Sequence, residues 1–204
     1  YISKGFLKQA KKCANKNVLL YHPLISKKTP LLGIEPSAIY TFLDEYPKLS
    51  SFPKESKELA SNCHLIDSFL AKELQNNNIQ ETQFHTDAKE IKVHAHCYQK
   101  ALGNPSDTFK ILNLPKNYNV RMLNTGCCGM AGSFGYEEEH YDTSMKVAEE
   151  RLFPSVRNIG YDVVIAANGT SCRHQIKDGT QRESLHPVSI VKSALINKRL
   201  VKGS

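Results

Sequence analysis

No stretch of this sequence is apolar for long. Its most hydrophobic runs, Val18 to Leu20 and Val163 to Ala167, fall far short of the roughly 18 residues that a membrane helix needs, so no transmembrane segment is expected. A basic-then-apolar leader is also missing after Tyr1, and nothing points to export. The first residue is not Met, which sets the expectation that these 204 residues belong to a longer protein. Six unevenly placed cysteines are too few for a disulfide-stapled scaffold, leaving metal binding or catalysis in a reducing compartment, read as the cytoplasm. The formal charge of +7 is not gathered into a basic stripe. Lysines are spread over Lys4 to Lys28, Lys48 to Lys72 and Lys192 to Lys202 without interleaved aromatics, which argues for a solvated surface and against nucleic acid as a partner. At 40% hydrophobic and 23% charged, the composition is that of a soluble globular chain.

What the sequence does have is a patterned set of cysteines. Cys127 and Cys128 are adjacent within Gly126-Cys-Cys-Gly129, between His94-Ala-His-Cys97 upstream and Gly169-Thr-Ser-Cys172 downstream. Neighbouring α-carbons lie about 3.8 Å apart, closer than the roughly 4.4 Å minimum of a relaxed disulfide, so the pair is not expected to bond to itself. Flanking glycines permit positive φ and let the backbone curl round a guest with its N–H groups inward. Sulfur ligands with free N–H donors suit an iron–sulfur cluster. The Gly126 to Gly135 stretch lacks a Gly-Lys-Ser/Thr ending and the spacing of a dinucleotide fingerprint, which removes a nucleotide loop.

Hydrophobic periodicity predicts alternating helices and strands. The first half reads as a helix from Ser3 to Lys16 and a strand at Val18 to Tyr21. A strand at Leu31 to Ile34 follows, then a helix from Pro36 through Tyr46, a loop holding Pro47 and Pro53, and an amphipathic helix from Leu59 to Leu74. The polar Gln75 to Gln80 stretch marks the expected boundary between segments 1–78 and 79–204. The second half reads as strands at Ile91 to Ala95, Val120 to Leu123 and Val163 to Ala167. Helices are expected at Tyr98 to Leu102, Tyr141 to Arg157, a turn after Cys172, and His186 to Ile196. This rhythm predicts an α/β fold with parallel sheets flanked by helices and functional residues at the strand carboxyl ends, where Cys97, Cys127 and Cys172 fall. An internal repeat accompanies it. Leu32 to Tyr40 lies over Ala166 to His174, putting Ala38 where Cys172 stands, and Cys63 to Ile66 lies over Leu185 to Val188. Two related small units are therefore expected, the first incomplete.

The segments His94-Ala-His-Cys-Tyr-Gln-Lys-Ala-Leu102, Thr125-Gly-Cys-Cys-Gly-Met-Ala-Gly-Ser-Phe-Gly135, Ser171 to Ile176 and His186-Pro187 resemble the cysteine-rich CCG-domain family. That family includes the cysteine-rich subunit of heterodisulfide reductase and the iron–sulfur subunits of glycolate oxidase and anaerobic glycerol-3-phosphate dehydrogenase. It also includes the iron–sulfur portion of fused flavin-linked D-lactate and D-2-hydroxyglutarate dehydrogenases. The wording around Cys128, with Phe134, Tyr141 and Leu152 to Arg157, is most similar to the fused flavin-linked enzymes. The resemblance implies an iron–sulfur electron-transfer region, itself not catalytic, that takes electrons from FAD on a domain or subunit outside this chain. They would leave to a quinone, cytochrome or thiol acceptor, in the cytoplasm or at the inner face of the membrane. One departure matters. The family's Cys-x-x-Cys ending has Gly169 at its first position, so a five-thiolate cluster is unavailable and four thiolates remain: Cys97, Cys127, Cys128 and Cys172.

Four thiolates match an ordinary four-iron (4Fe-4S) cluster, or, as the alternative, a tetrahedral zinc site in a structural or docking module without redox activity. A cluster with four thiolates carries net negative charge, so the N–H groups of Gly126, Gly129 and Gly132, and Arg173, are expected to stabilise it. His94, His96 and His174 stand as surrounding donors, proton carriers or ligands, with ordinary core histidines as the plain alternative. Cys13 and Cys63 read as small apolar residues, His186 as a helix start, and Glu137 to Glu139 as a solvated helix entry.

Overall fold

Ala10, Ala14 and Val18 recur every fourth residue, and this buried stripe carries a single helix, α1 (Leu7–Tyr21), through the run expected to be a strand. Val18 extends the helical face, whereas Leu19 and Leu20 are exposed, so periodicity overrides the local apolar run. The computed structural model describes residues 1–196; the end of the basic tail, Lys198 to Lys202, lies outside the described residues.

After β1 (Leu31–Gly33), Glu35 caps α2 (Pro36–Leu43) by accepting the Ser37 N–H at 3.4 Å. The expected helix through Tyr46 and the proline loop are instead short helices. Pro47 lies within the first turn of α3 (Glu45–Leu49), and Pro53 opens α4 (Pro53–Ala60), positions where a missing N–H costs nothing. The long helix predicted over Leu59 to Leu74 is also interrupted. Cys63 and Leu65 point inward with His64 between them, a two-residue period, and form β2 (Cys63–Leu65) before α5 (Ile66–Gln75). β1 and β2 pair in parallel, Leu31 opposite Cys63 and Gly33 opposite Leu65.

The second sheet is larger. β3 (Lys89–His94) is its centre, followed by α6 (Cys97–Leu102) and by α7 (Pro105–Leu112), which was not anticipated although Asn104 and Pro105 are a capping residue and a first-turn proline. Then come β4 (Tyr118–Met122), α8 (Glu138–Glu149), α9 (Leu152–Arg157), β5 (Val164–Ala167), α10 (Thr170–Thr180) and α11 (Pro187–Ser193). The helix expected over Tyr141 to Arg157 breaks because Pro154 cannot bond to the Glu150 carbonyl and its ring would clash with it. Glu137 to Glu139 form the entry to α8, as expected.

The three strands lie in the order β4-β3-β5, all parallel. One face packs Ile91, Val93, Val120 and Ala166 against apolar residues of α5, α7 and α11. The other packs Ile165 and Ala167 against α8, α9 and α10, and that core contains Cys128 and Cys172. The molecule is thus α/β, with two small parallel sheets flanked by helices, the first of only two strands. By packing, the chain divides into compact units of residues 1–66 and 67–204. Among the described residues no helix is long and apolar enough to cross a membrane.

Candidate metal centre

In a parallel sheet all carboxyl ends meet at one edge, and the turns that leave them converge there. β3 ends at His94, and His96 caps α6, its Nδ1 accepting the Tyr98 N–H at 3.1 Å, so that Cys97 is the first helical residue. The loop after β4 carries Cys127 and Cys128. β5 runs into Asn168 and Gly169, and Cys172 is the third residue of α10.

The four sulfurs form one contiguous set. Cys172 Sγ lies 3.3 Å from Cys128 Sγ, and Cys127 hydrogen-bonds to both Cys128 and Cys97. Cys97 and Cys127 are exposed, Cys128 and Cys172 buried. Without a metal the mutual hydrogen bonds push neighbouring thiols in opposite directions. Hydrogen bonds from Cys128 and Cys97 hold the Cys127 thiol far below its ordinary value, and the bond from Cys128 does the same for Cys172, helped by His94 against burial. Donation to Cys127, reinforced by burial, pushes Cys97 up; donation to Cys127 and Cys172 pushes up Cys128. Metal binding takes cysteine as thiolate, so an ion bound here would displace the protons these sulfurs share. Cys13 is exposed, and Cys63, buried in the first unit, has its thiol pushed up to about 12 by burial.

The surrounding residues separate into distinct roles. His94 is buried, its Nδ1 at 2.6 Å from Thr125 Oγ1, and its ring hydrogen-bonds Cys172. Ligand atoms of His94, Cys128 and Cys172 all lie within 4.8 Å of one another. His96 packs against Gly169: a Cβ there would stand 2.4 Å from the imidazole Cδ2 and 3.1 Å from Cys172 Sγ. The absent thiolate at position 169 therefore has its space filled by a histidine ring. Gly129 donates its N–H to Cys127 Sγ at 3.2 Å. Gly126 is exposed, with only Arg151 near its Cβ direction, and Gly132 stands in open space with φ +73°. Arg173 donates to the carbonyls of Ala167 and Asn168 at 2.8 and 2.6 Å and so ties down the end of β5. The exposed His174 bonds the Tyr136 hydroxyl at 2.7 Å, and His186 caps α11 through the Val188 N–H.

Lys100 escaped the sequence reading. Its Nζ donates to the Thr125 carbonyl at 2.7 Å, which fastens a positive charge to the turn before Cys127. A lysine one helical turn after Cys97 is the only sequence signal for it.

A set of soft sulfur donors, a neighbouring imidazole and an inward N–H suits a thiophilic ion or cluster. The match to known families falls on the same part of the chain, since residues 91–177 match the model of the CCG cysteine-rich domain. The matched segment covers most of the three-stranded sheet and contains all four converging cysteines. Over 195 residues the chain is 25% identical to one subunit of the anaerobic glycerol-3-phosphate dehydrogenase of Escherichia coli, covering 95% of this chain and 48% of that protein. It is 26% identical over 190 residues to D-2-hydroxyglutarate dehydrogenase of Pseudomonas putida, covering 92% of this chain and 17% of the relative, and 27% identical over 203 residues to the Haemophilus influenzae enzyme of that name, covering 94% and 19%. The chain thus spans about half of the first relative and under a fifth of the other two. No solved structure gives a significant match.

Proposed function

We propose that the CCG domain holds an iron–sulfur cluster, of the four-iron type, on Cys97, Cys127, Cys128 and Cys172. It would serve as the electron-transfer region of a flavin-linked 2-hydroxyacid dehydrogenase. The observation that carries the reading is the convergence of four sulfurs at the carboxyl ends of three parallel strands. Such a cluster, when bound, takes and gives single electrons. The chain's own residues would do the rest: the Gly129 N–H and the His94 ring donate to sulfur, Lys100 holds the Thr125 turn, and Cys97 and Cys127 face outward, where a partner approaches. FAD would sit on another domain or subunit, the acceptor would be a quinone, cytochrome or thiol, and the free cysteines favour a cytoplasmic setting.

The same reading takes segments 1–78 and 79–204 as two copies of one unit. Ala38 and Cys172 are each the third residue of the helix after a strand, and both strands make a parallel contact with the segment that precedes a later helix, α5 or α11. Anaerobic purification of the full-length protein, with iron and sulfide determined chemically, tests the cluster. Several iron and sulfide per chain are expected; absence of both overturns it.

A second reading is a single zinc ion in a structural module. The closeness of His94, Cys128 and Cys172 favours it, because donors within 4.8 Å suit one tetrahedral ion. One zinc per chain and no colour to bleach with dithionite would decide for it.

A further inference from the structure

Asp67, in the first turn of α5, is fully buried, and the partners described for its carboxylate are neutral. Its Oδ2 accepts from Thr108 Oγ1 at 2.5 Å and from Asn168 Nδ2 at 2.6 Å, while Gln99 Nε2 donates to Thr108 Oγ1 at 2.8 Å. Three oxygens of this network are buried with no donor: Asp67 Oδ1, Gln99 Oε1 and Asn168 Oδ1. An ionised carboxylate adds charge where acceptors already outnumber donors, and a proton turns one of those acceptors into a donor. Burial pushes the carboxyl above its usual range, against the bonds from Thr108 and Asn168. The titratable groups facing it are His186, the cap of α11, and Asp107 from α7; α6 and the turn after β5 contribute the neutral Gln99 and Asn168.

The network reaches the residue that leads into the cysteine site. Asn168 precedes Gly169, where an added Cβ would fall 2.4 Å from His96 Cδ2 and 3.1 Å from Cys172 Sγ, so the carboxylate's partner is one residue from the sulfur site. An electron added to a poorly solvated centre is stabilised when a nearby buried group gains a proton.

We propose that Asp67 is the redox-linked proton site of the cysteine centre. When the centre accepts one electron, from a reduced flavin or in vitro from dithionite, the carboxylate takes one proton from solvent, and reoxidation returns it. The role rests on the iron–sulfur reading above.

The test uses the full chain reconstituted anaerobically with iron and sulfide, its midpoint potential followed spectroscopically from mild acid to mild alkali. The wild type is expected to show an interval in which reduction becomes tenfold less favourable per pH unit, about 59 mV for one electron. In Asp67→Asn, which keeps the size and is always neutral, that slope disappears. Parallel slopes in the two proteins overturn the role of Asp67 and leave the cluster standing, whereas a chain that binds no iron overturns both. Should the variant not fold, redox-difference infrared spectra of the wild type decide. A protonated-carboxyl band that appears on reduction and shifts with isotope-labelled aspartate is expected, and its absence overturns the proposal.

Discussion

Gly129 and Gly132 hold positive φ in the same loop, +87° and +73°, yet an added methyl would meet different surroundings at the two positions. At Gly132 it meets nothing within 4 Å; at Gly129 it falls 2.1 Å from the Ser144 carbonyl oxygen. Gly132→Ala should therefore cost only the left-handed strain, about 1–2 kcal/mol, while Gly129→Ala adds overpacking of about 1–3 kcal/mol more and displaces the N–H aimed at Cys127. Denaturant unfolding of the two variants measures the gap, and equal losses would contradict it. The cysteines differ just as sharply. Cys97 and Cys127 are both exposed, but hydrogen bonds from Cys128 and Cys97 push the Cys127 thiol below its ordinary value, whereas donation to Cys127 pushes Cys97 above it. In metal-free protein, iodoacetamide should modify Cys127 first, at a rate that stays flat as the pH falls from about 8 to about 6, where an ordinary thiol of pKa near 8.5 slows by roughly tenfold or more. Peptide mass mapping with time reads the order directly.

Between elements, Asp67 joins α5 to α7 and to the turn after β5. Its raised carboxyl means that the folded state keeps a proton that the unfolded chain loses from roughly pH 4 upward. The stability tied to that proton is therefore whole in acid and is lost as the pH rises toward the folded value. Asp67→Asn should melt close to wild type near about pH 4 and increasingly above it toward about pH 8; a difference that does not grow with pH would contradict the sign. None of this was legible in the sequence, because Asp67 reads there as one more polar residue on an amphipathic helix, and its partners lie 41 and 101 positions away. What was legible has local causes. The strands before Cys97, Cys127 and Cys172 announce themselves by apolar runs, and the turns after them by glycine and cysteine. The misplaced elements have local causes of another kind: Pro154 breaks a convincing helical pattern, β2 is only three residues long, and Val18 continues a stripe that begins at Ala10.

At the scale of the whole chain, the two units differ in how their strands are shielded. β3 lies between β4 and β5, with Ile91 and Val93 fully buried; β1 has β2 as its only strand partner among the described residues, and its three residues are half-buried. Amide exchange follows the cheapest opening that frees a hydrogen bond, and a short strand on a two-stranded sheet opens at lower cost than the centre of a packed one. In this chain β1 amides should exchange at least about tenfold faster than those of β3 in hydrogen-exchange mass spectrometry, corresponding to an opening cheaper by about 1.4 kcal/mol or more. The proposed duplication would add a sharper expectation. In the larger sheet β5 pairs with β3 on one side and touches Leu185 on the other, and under the proposed repeat β1 would correspond to β5 and β2 to the Leu185 segment. The side of β1 away from β2 is then where the first unit's counterpart of β3 would pair. If the full-length protein supplies that strand, β1 should slow toward the rate of β3 there while β3 itself stays unchanged; equal β1 exchange in the two proteins would count against a completed first unit.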